Sequence, residues 1–300
     1  MRHKRLLLVG DNPFHGISHL SQARAVSRGK DLTDPEYAAQ LVGTSLDNGA
    51  DGFMFTVSET TLSILRILRE GGGSPSLELH AIVPYAYEFV RMAVHAGGVP
   101  GLAKRLGRQI VLSGNARAVV NGVRGVIGND PPSLLRSYLW YELFRLRSAA
   151  GKRAKLASIM LHEVVTDMAL ALDMRWLIET HVAFMLGQHI KPGFETRNFP
   201  YLVRKLEQWG IDFCRVTIAA PFNPIGFQMC PSREACEEAL RRIPETEVIA
   251  FSILAAGYTK PAEAAAYVAG LPALRGVAVG VSKEQHALET FRLLGDQLRT

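Results

Sequence analysis

Eight short apolar runs, spread over the whole chain and mostly separated by helix-like patterns, restrict this sequence more than any other feature. They are Leu6–Val9, Gly52–Val57, Leu77–Pro84, Leu156–Leu161, Ile190–Thr196, Phe213–Ala220, Val248–Leu254 and Gly276–Val281. Most end in polar or glycine-bearing turns, as strands do. Helical periodicity fills Tyr37–Asn48, Thr60–Arg69, Phe199–Trp209, Ser232–Arg242, Pro261–Ala269 and Lys283–Leu298. Strands alternating with helices pair in parallel through right-handed crossovers. Eight such units in 300 residues predict an α/β fold, a closed (β/α)8 TIM barrel forming one domain over residues 1–300. An open doubly wound sheet would announce itself with GxGxxG after the first strand, and GDNPFHG is not that turn.

One interval breaks the rhythm. Residues 86–154, between the third and fourth strands, read as a helical, basic insertion within the barrel domain. Asn129, Asp130, Pro131 and Pro132 give a turn and helix-start signal. Tyr138, Trp140, Tyr141 and Phe144 follow, and are expected to fill core and a subunit interface. Between Ala86 and Lys155 twelve basic residues face only Glu88, Asp130 and Glu142, a local charge of +9 against +6 for the whole chain. A solvated basic layer explains this, as does a surface that attracts anions. A nucleic-acid partner is not expected, because no binding motif accompanies the charge.

The apolar content of 48% suits a sizeable core. No window holds eighteen uninterrupted apolar residues, so no membrane partner is expected. Asp11 interrupts the first apolar run too early for a signal peptide, which makes that run a strand. Cys214, Cys230 and Cys236 form no CxxC pair. That sparse, odd count predicts reduced thiols and a cytoplasmic protein, with Cys214 in the core.

In such a barrel the loops after the strands share one face, where active sites lie. The first strand delivers Asp11, Asn12 and His15 there, the second Thr56, Ser58 and Glu59, and the third Tyr85, Tyr87 and Glu88. The fourth gives His162 and Glu163, the fifth Glu195, Arg197 and Asn198, and the sixth Asn223 and Gln228. The seventh gives Ser252 and Lys260, and the eighth Ser282 and Lys283. Pro13 and Gly16 should brace the turn that carries His15. Asn12 serves equally well as a turn cap. His162, at a strand exit, can act as acid, base, electrophile or metal ligand. Glu163 is read as the start of the next turn. Glu195 and Arg197, two apart in extended chain, would share a face as a salt bridge or as a grip on an anion. Glu78 and His80 lie early in the third strand, where solvent or helix-facing contacts are expected rather than a buried polar layer. Lys191, at the opening of the fifth strand, is read as structural. Gly257, Gly280, Ser282 and Lys283 have the character of an anion site made from loops and a helix N-terminus. Ser282 with Gln285 also fits a capping box, and capping can coexist with anion binding.

The stretch VIAFSILAAGYTKPAEAAAYVAGLPALRGVAVGVSKEQHALETF resembles the C-terminal part of aldo-keto reductases. GADGFMFTVSET is similar to that family's second strand, and IMLHE to its fourth, where a histidine closes the strand. The resemblance implies the barrel, and an NADPH site whose 2′-phosphate end lies in the C-terminal loops. It also implies chemistry by an Asp, Tyr, Lys and His set, with tyrosine as proton donor and hydride from the cofactor. Only His162 carries over. The Asp position falls near Met54 or Thr56, and the Lys position near Pro84 or Tyr85. Val57 to Leu62 holds no tyrosine.

These readings lead to an expectation with two alternatives. The first is an enzyme on an aldo-keto-reductase-like scaffold, without the usual Asp/Tyr/Lys set, acting on a small anionic metabolite by general acid–base or metal-assisted chemistry. Its catalytic residues would be His15, His162, Asp11 and Glu195. Asn12, Arg197, Asn198, Asn223, Gly257, Gly280, Ser282 and Lys283 would bind substrate or anion. Asp11, His15, His162 and Glu195 would be the candidate ligands for a Zn or Mn ion. The first alternative is an NADP(H)-dependent oxidoreductase with Tyr85 or Tyr87 as donor. The second is a non-catalytic ligand-binding barrel, with the insertion serving homo-oligomer association.

Overall fold

A computed structural model describes residues 4–15, 33–71, 77–85 and 99–299, the side chains of 99–103 excepted. Eight parallel strands close on themselves in sequence order: β1 (Leu6–Gly10), β2 (Gly52–Thr56), β3 (Glu78–Val83), β4 (Lys155–Leu161), β5 (Lys191–Glu195), β6 (Thr217–Pro221), β7 (Glu247–Phe251) and β8 (Leu274–Gly280). Closure is made by β8 against β1, from Leu6 opposite Gly276 to Gly10 opposite Gly280. The described helices are α1 (Pro35–Asp47), α2 (Glu59–Glu70), α3 (Val99–Leu112), α4 (Ala116–Ile127), α5 (Pro131–Ala150), α6 (Glu163–Ala171), α7 (Arg175–Gly187), α8 (Phe199–Gln208), α9 (Arg233–Arg242), α10 (Pro261–Ala269) and α11 (Glu284–Leu298). Among the described residues no helix is long and apolar enough to cross a membrane.

Successive strand residues point to opposite faces, and both faces are buried here. Leu8, Met54, Ile82, Met160, Ala219, Ile249 and Ala278 meet inside the barrel. Their neighbours Leu7, Val9, Phe53, Phe55, Leu79, Phe194, Ile218 and Val277 face outward and join the helices in a much larger cluster. Glycine makes the interior fit: a Cβ on Gly193 would lie 2.2 Å from Met160 Cγ, so the methionine fills the space that glycine leaves.

The lower end of the barrel is polar, contrary to the expectation for Glu78 and His80. His80 is buried, and its Nδ1 lies 2.9 Å from Ser158 Oγ. The register explains this, because His80 and Ser158 are direct partners on adjacent strands and both face inward. Lys155 donates to Glu78 at 2.5 Å, Lys191 to Glu247 at 3.3 Å, and the Thr217 hydroxyl to Glu247 at 2.6 Å. Lys191 is thus a structural cation at this end.

Two strands differ most from their sequence boundaries, each for an identifiable reason. Asp212 accepts the Cys214 N–H at 2.9 Å and draws Phe213–Arg215 into a 3-10 turn, so β6 starts only at Thr217. Cys214 is therefore exposed, not core. The seventh strand stops at Phe251 because Ser252 takes a left-handed φ of 52°, which extended chain cannot contain.

Among the described residues, three helices occupy the interval between β3 and β4. The longest, α5, packs against α2 and α7 and buries Leu139, Leu143, Leu146 and Ala149. Trp140 meets Phe184 edge-on at 5.2 Å, whereas Phe144 is exposed. The helix α4 lies on α5 as an outer layer.

Candidate active site

The first strand ends at Gly10 and passes Asp11 to the mouth. A 3-10 turn over Asn12–His15 follows, closed by Phe14 N–H to Asp11 O at 2.8 Å. Phe14 is fully buried and anchors the turn. Pro13 seals it against the barrel rim, since a Cβ on Gly280 would lie only 2.8 Å from Pro13 Cδ. This bracing brings the His15 ring back over the chain, where Nε2 lies 3.0 Å from Asp11 Oδ2. The same oxygen accepts the Thr56 N–H at 2.6 Å, which ties β1 to β2. Tyr85, just past β3, packs its ring on His15 with centroids 4.9 Å apart.

His162 closes β4 through its N–H to Val83 O at 2.8 Å, and serves as N-cap of α6. Its Nδ1 accepts the Val164 N–H at 3.2 Å, which places the proton of the neutral ring on Nε2. Burial pushes this imidazole below its ordinary pKa, more than Glu163 and Asp11 raise it. The ring is neutral at pH 7.

Glu195 ends β5. Its Oε2 accepts the Glu163 N–H at 3.1 Å. Burial, then the negative charge of Glu163 and of Asp11, raise its carboxyl to about 8, against the pull of that N–H and of Arg197. Glu195 thus holds a proton at neutral pH beside groups that repel its charge. Arg197 does not pair with Glu195, as strand alternation had suggested. Its Nε donates to Glu163 Oε2 at 2.6 Å. The cause is Asp167, which takes the Thr196 hydroxyl at 2.5 Å and the Arg197 N–H at 3.2 Å and pulls the chain out of the strand after Glu195. Burial in turn raises the Asp167 carboxyl.

Asp11 contacts His15, and its charge acts on both His162 and Glu195; Glu163, Arg197 and Asp167 are linked to Glu195 by hydrogen bonds and charge. The sequence placed Glu163 at the mouth but read it as the start of the next turn, and it gave no role to Asp167 and Thr196. A signal existed: Glu163 and Asp167 are four apart, on one face of the helix that starts at the His162 strand exit.

The proposed metal set does not fit. Among the described residues no group of three or more His, Cys, Asp or Glu is arranged to hold a metal ion.

Several proposed anion contacts prove to be local bracing. The Asn223 amide bonds Phe227 through both ends, at 2.7 and 2.8 Å, and closes its own loop. The Gly257 N–H is committed to Leu254 O at 2.7 Å. Gly280 is required by Pro13, so its small size is no sign of a bound nucleotide. Ser282 does not cap the last helix; Lys283 is the N-cap of α11, without a side-chain bond, and is exposed. Asn12 is exposed at the start of its turn. Asn198 heads α8 without a side-chain cap bond and lines a groove with Pro200, Tyr201, Arg204 and Pro231. Ser58 and Lys260 are N-caps, and Glu59 pairs with Arg145. Ser252 donates to Gln228 across the rim at 3.4 Å, both residues having left-handed φ. Gly16, Tyr87 and Glu88 lie outside the described residues.

No family model and no curated protein matches this sequence. Solved structures do match it, and several of them are named as aldo-keto reductases. One is a protein from Pseudomonas aeruginosa assigned to that family, at 13% identity and a TM-score of 0.57, over 97% of this chain and 90% of the other. Another is the holo form of an aldo-keto reductase from Bacillus halodurans, at 11% identity and a TM-score of 0.57, over 98% of this chain and 91% of the other. Identities this low show the fold. The chain has the aldo-keto-reductase-like (β/α)8 barrel along nearly its whole length.

Proposed function

We propose that the barrel mouth is a general acid–base site acting on a small metabolite that carries a carboxylate or phosphate. The observation behind this reading is that Glu195, bonded to the Glu163 N–H, and His162, at the head of α6, both lie within reach of the charge of Asp11, which is hydrogen-bonded to His15. Enzymes set acid and base roles by environments that push titratable groups apart. Here Glu195 donates a proton. His162 polarises a substrate oxygen through Nε2–H, and His15, oriented by Asp11, accepts the proton that leaves. Arg197, anchored by Glu163 and Asp167, supplies the positive charge for an anionic group. Proton transfer next to a carbonyl, as in lyase or isomerase chemistry, suits such a set.

The test is solvent-deuterium incorporation, followed by NMR, across a panel of small carboxylates and phosphates. The expected result is incorporation into at least one compound, lost in Glu195→Gln and in His162→Ala. Incorporation that persists in both variants would overturn the reading.

A second reading, an NADP(H)-dependent oxidoreductase, has one observation in its favour. The Tyr85 ring packs at a tilt against His15, which would couple a phenol donor to Asp11. Against it stands Pro13, which fills the space beside Gly280 that a backbone-hugging nucleotide would need. A fluorescence titration with NADPH separates the two, since saturable binding favours the second.

A further inference from the structure

The helix α4 is turned the wrong way round for a helix on a soluble barrel. Its inner face against α5 carries Ala118, Gly122 and Gly125. A Cβ on Gly125 would lie 2.5 Å from Leu134 Cδ2, and one on Gly122 would lie 3.1 Å from Ser137 Oγ. Only small residues fit there, so the helix cannot rotate to hide its larger ones. Val120, Val123 and Ile127 recur at helical spacing on the outer face, with Val126 at its edge. All four are exposed, Val126 by 74% and Ile127 by 82%. Val111 and Leu112 at the end of α3 add to this surface, at 62% and 72% exposure.

Cations dominate this surface, and Asp130, beside Arg124, is the nearest described anion. Residues 99–129 contain Lys104, Arg105, Arg108, Arg117 and Arg124 and no Asp or Glu. Arg117 stacks on Trp140 of α5, while Lys104, Arg105, Arg108 and Arg124 are exposed. A symmetric contact with a second copy would bring two sets of five cations together with only Asp130 of each copy to offset them. A nucleic acid would leave the exposed valines and isoleucine wet, and residues 99–129 hold no aromatic side chain for base stacking.

We infer that α3 and α4 form a peripheral docking surface for an anionic membrane. The cations meet lipid headgroups, and Val120, Val123, Val126 and Ile127 enter the boundary between headgroups and acyl chains. The expectation of no membrane partner rested on the lack of a spanning segment. Interfacial docking needs none.

The experiment is co-sedimentation of the whole protein with phosphatidylcholine vesicles, alone and with about a third phosphatidylserine. Binding is expected only with phosphatidylserine, and it should weaken as salt shortens the screening length. Arg124→Gln should weaken it roughly five-fold, the effect of one cation near such a surface. Val123→Glu should abolish it without changing the melting temperature, because the residue is exposed. Lack of phosphatidylserine-dependent sedimentation overturns the proposal. So does binding that neither variant changes. A concentration-dependent dimer, broken by Ile127→Glu in a protein that ignores vesicles, would assign the face to a second copy and would equally overturn it.

Discussion

The two ends of the barrel use the same residue types to opposite effect. At the lower end Glu78 is flanked by the His80 ring at 3.9 Å and the Lys155 ammonium at 2.5 Å, and these hold its carboxyl at about 2. At the mouth Glu195 sits in a drier place, facing Glu163 and Asp11, and its carboxyl rises to about 8. A glutamate whose neighbours neutralise it stabilises the fold. A glutamate set among like charges opposes folding and gains a proton it can give away. Sites built for chemistry show the second pattern. The charges of the lower end, by contrast, find opposite partners: Lys191 with Glu247, and Lys4 and Arg299 with Asp51.

The sharpest way to break this contrast is mutation at both ends. Glu195→Gln keeps the acceptor for the Glu163 amide but cannot give up a proton as an acid. Turnover should fall by about 10²–10⁴-fold, as for loss of a general acid. Glu247→Gln at the lower end should leave turnover unchanged. Steady-state kinetics on both proteins decides, and equal losses would erase the distinction.

Stability should show the reverse. Glu247→Ala strips Lys191 and Thr217 of their partner and should cost about 1–3 kcal/mol in urea denaturation. Glu195→Gln should cost much less at pH 7, since the wild-type carboxyl is already protonated there.

The pH dependence of stability separates the two ends again. The folded pKa of Glu78 lies below its unfolded value of 4.5. Its contribution is present above that value and is lost as the pH falls toward 2. The folded pKa of Glu195 lies above 4.5. The folded state then binds more protons, and stability falls as the pH rises from 4.5 to 8. Thermal melts should therefore show Glu78→Gln flattening the acid limb and Glu195→Gln flattening the limb toward pH 8.

The smallest effect should come from the eighth loop. An N-cap serine is worth about 1 kcal/mol, but Lys283 holds that position here. Ser282→Ala should change stability by less than about 0.5 kcal/mol.

The fold was legible because period-two and period-3.6 patterns are local, and eight alternations leave few topologies. The site was legible only by position. Strand exits pointed to Asp11, His15, His162 and Glu195, of which Asp11 and His15 are in contact and the charge of Asp11 acts on the other two. What the pattern could not carry was which side chains are already engaged. Nothing near Asn223 announces that Phe227 takes both ends of its amide, and nothing near Gly280 announces Pro13. Arg197 looked like a salt-bridge partner of Glu195 or a second grip on an anion, because alternation assumes the strand continues. Asp167, about thirty residues earlier, ends it.

The measurement that bears most directly on this account is a carbon-detected NMR titration of the Glu195 side-chain carboxyl in the folded protein. The account predicts a midpoint near 8. A midpoint at the ordinary 4.5 would mean that Glu195 is charged at neutral pH, and the mouth would then lack the acid on which the proposed chemistry depends.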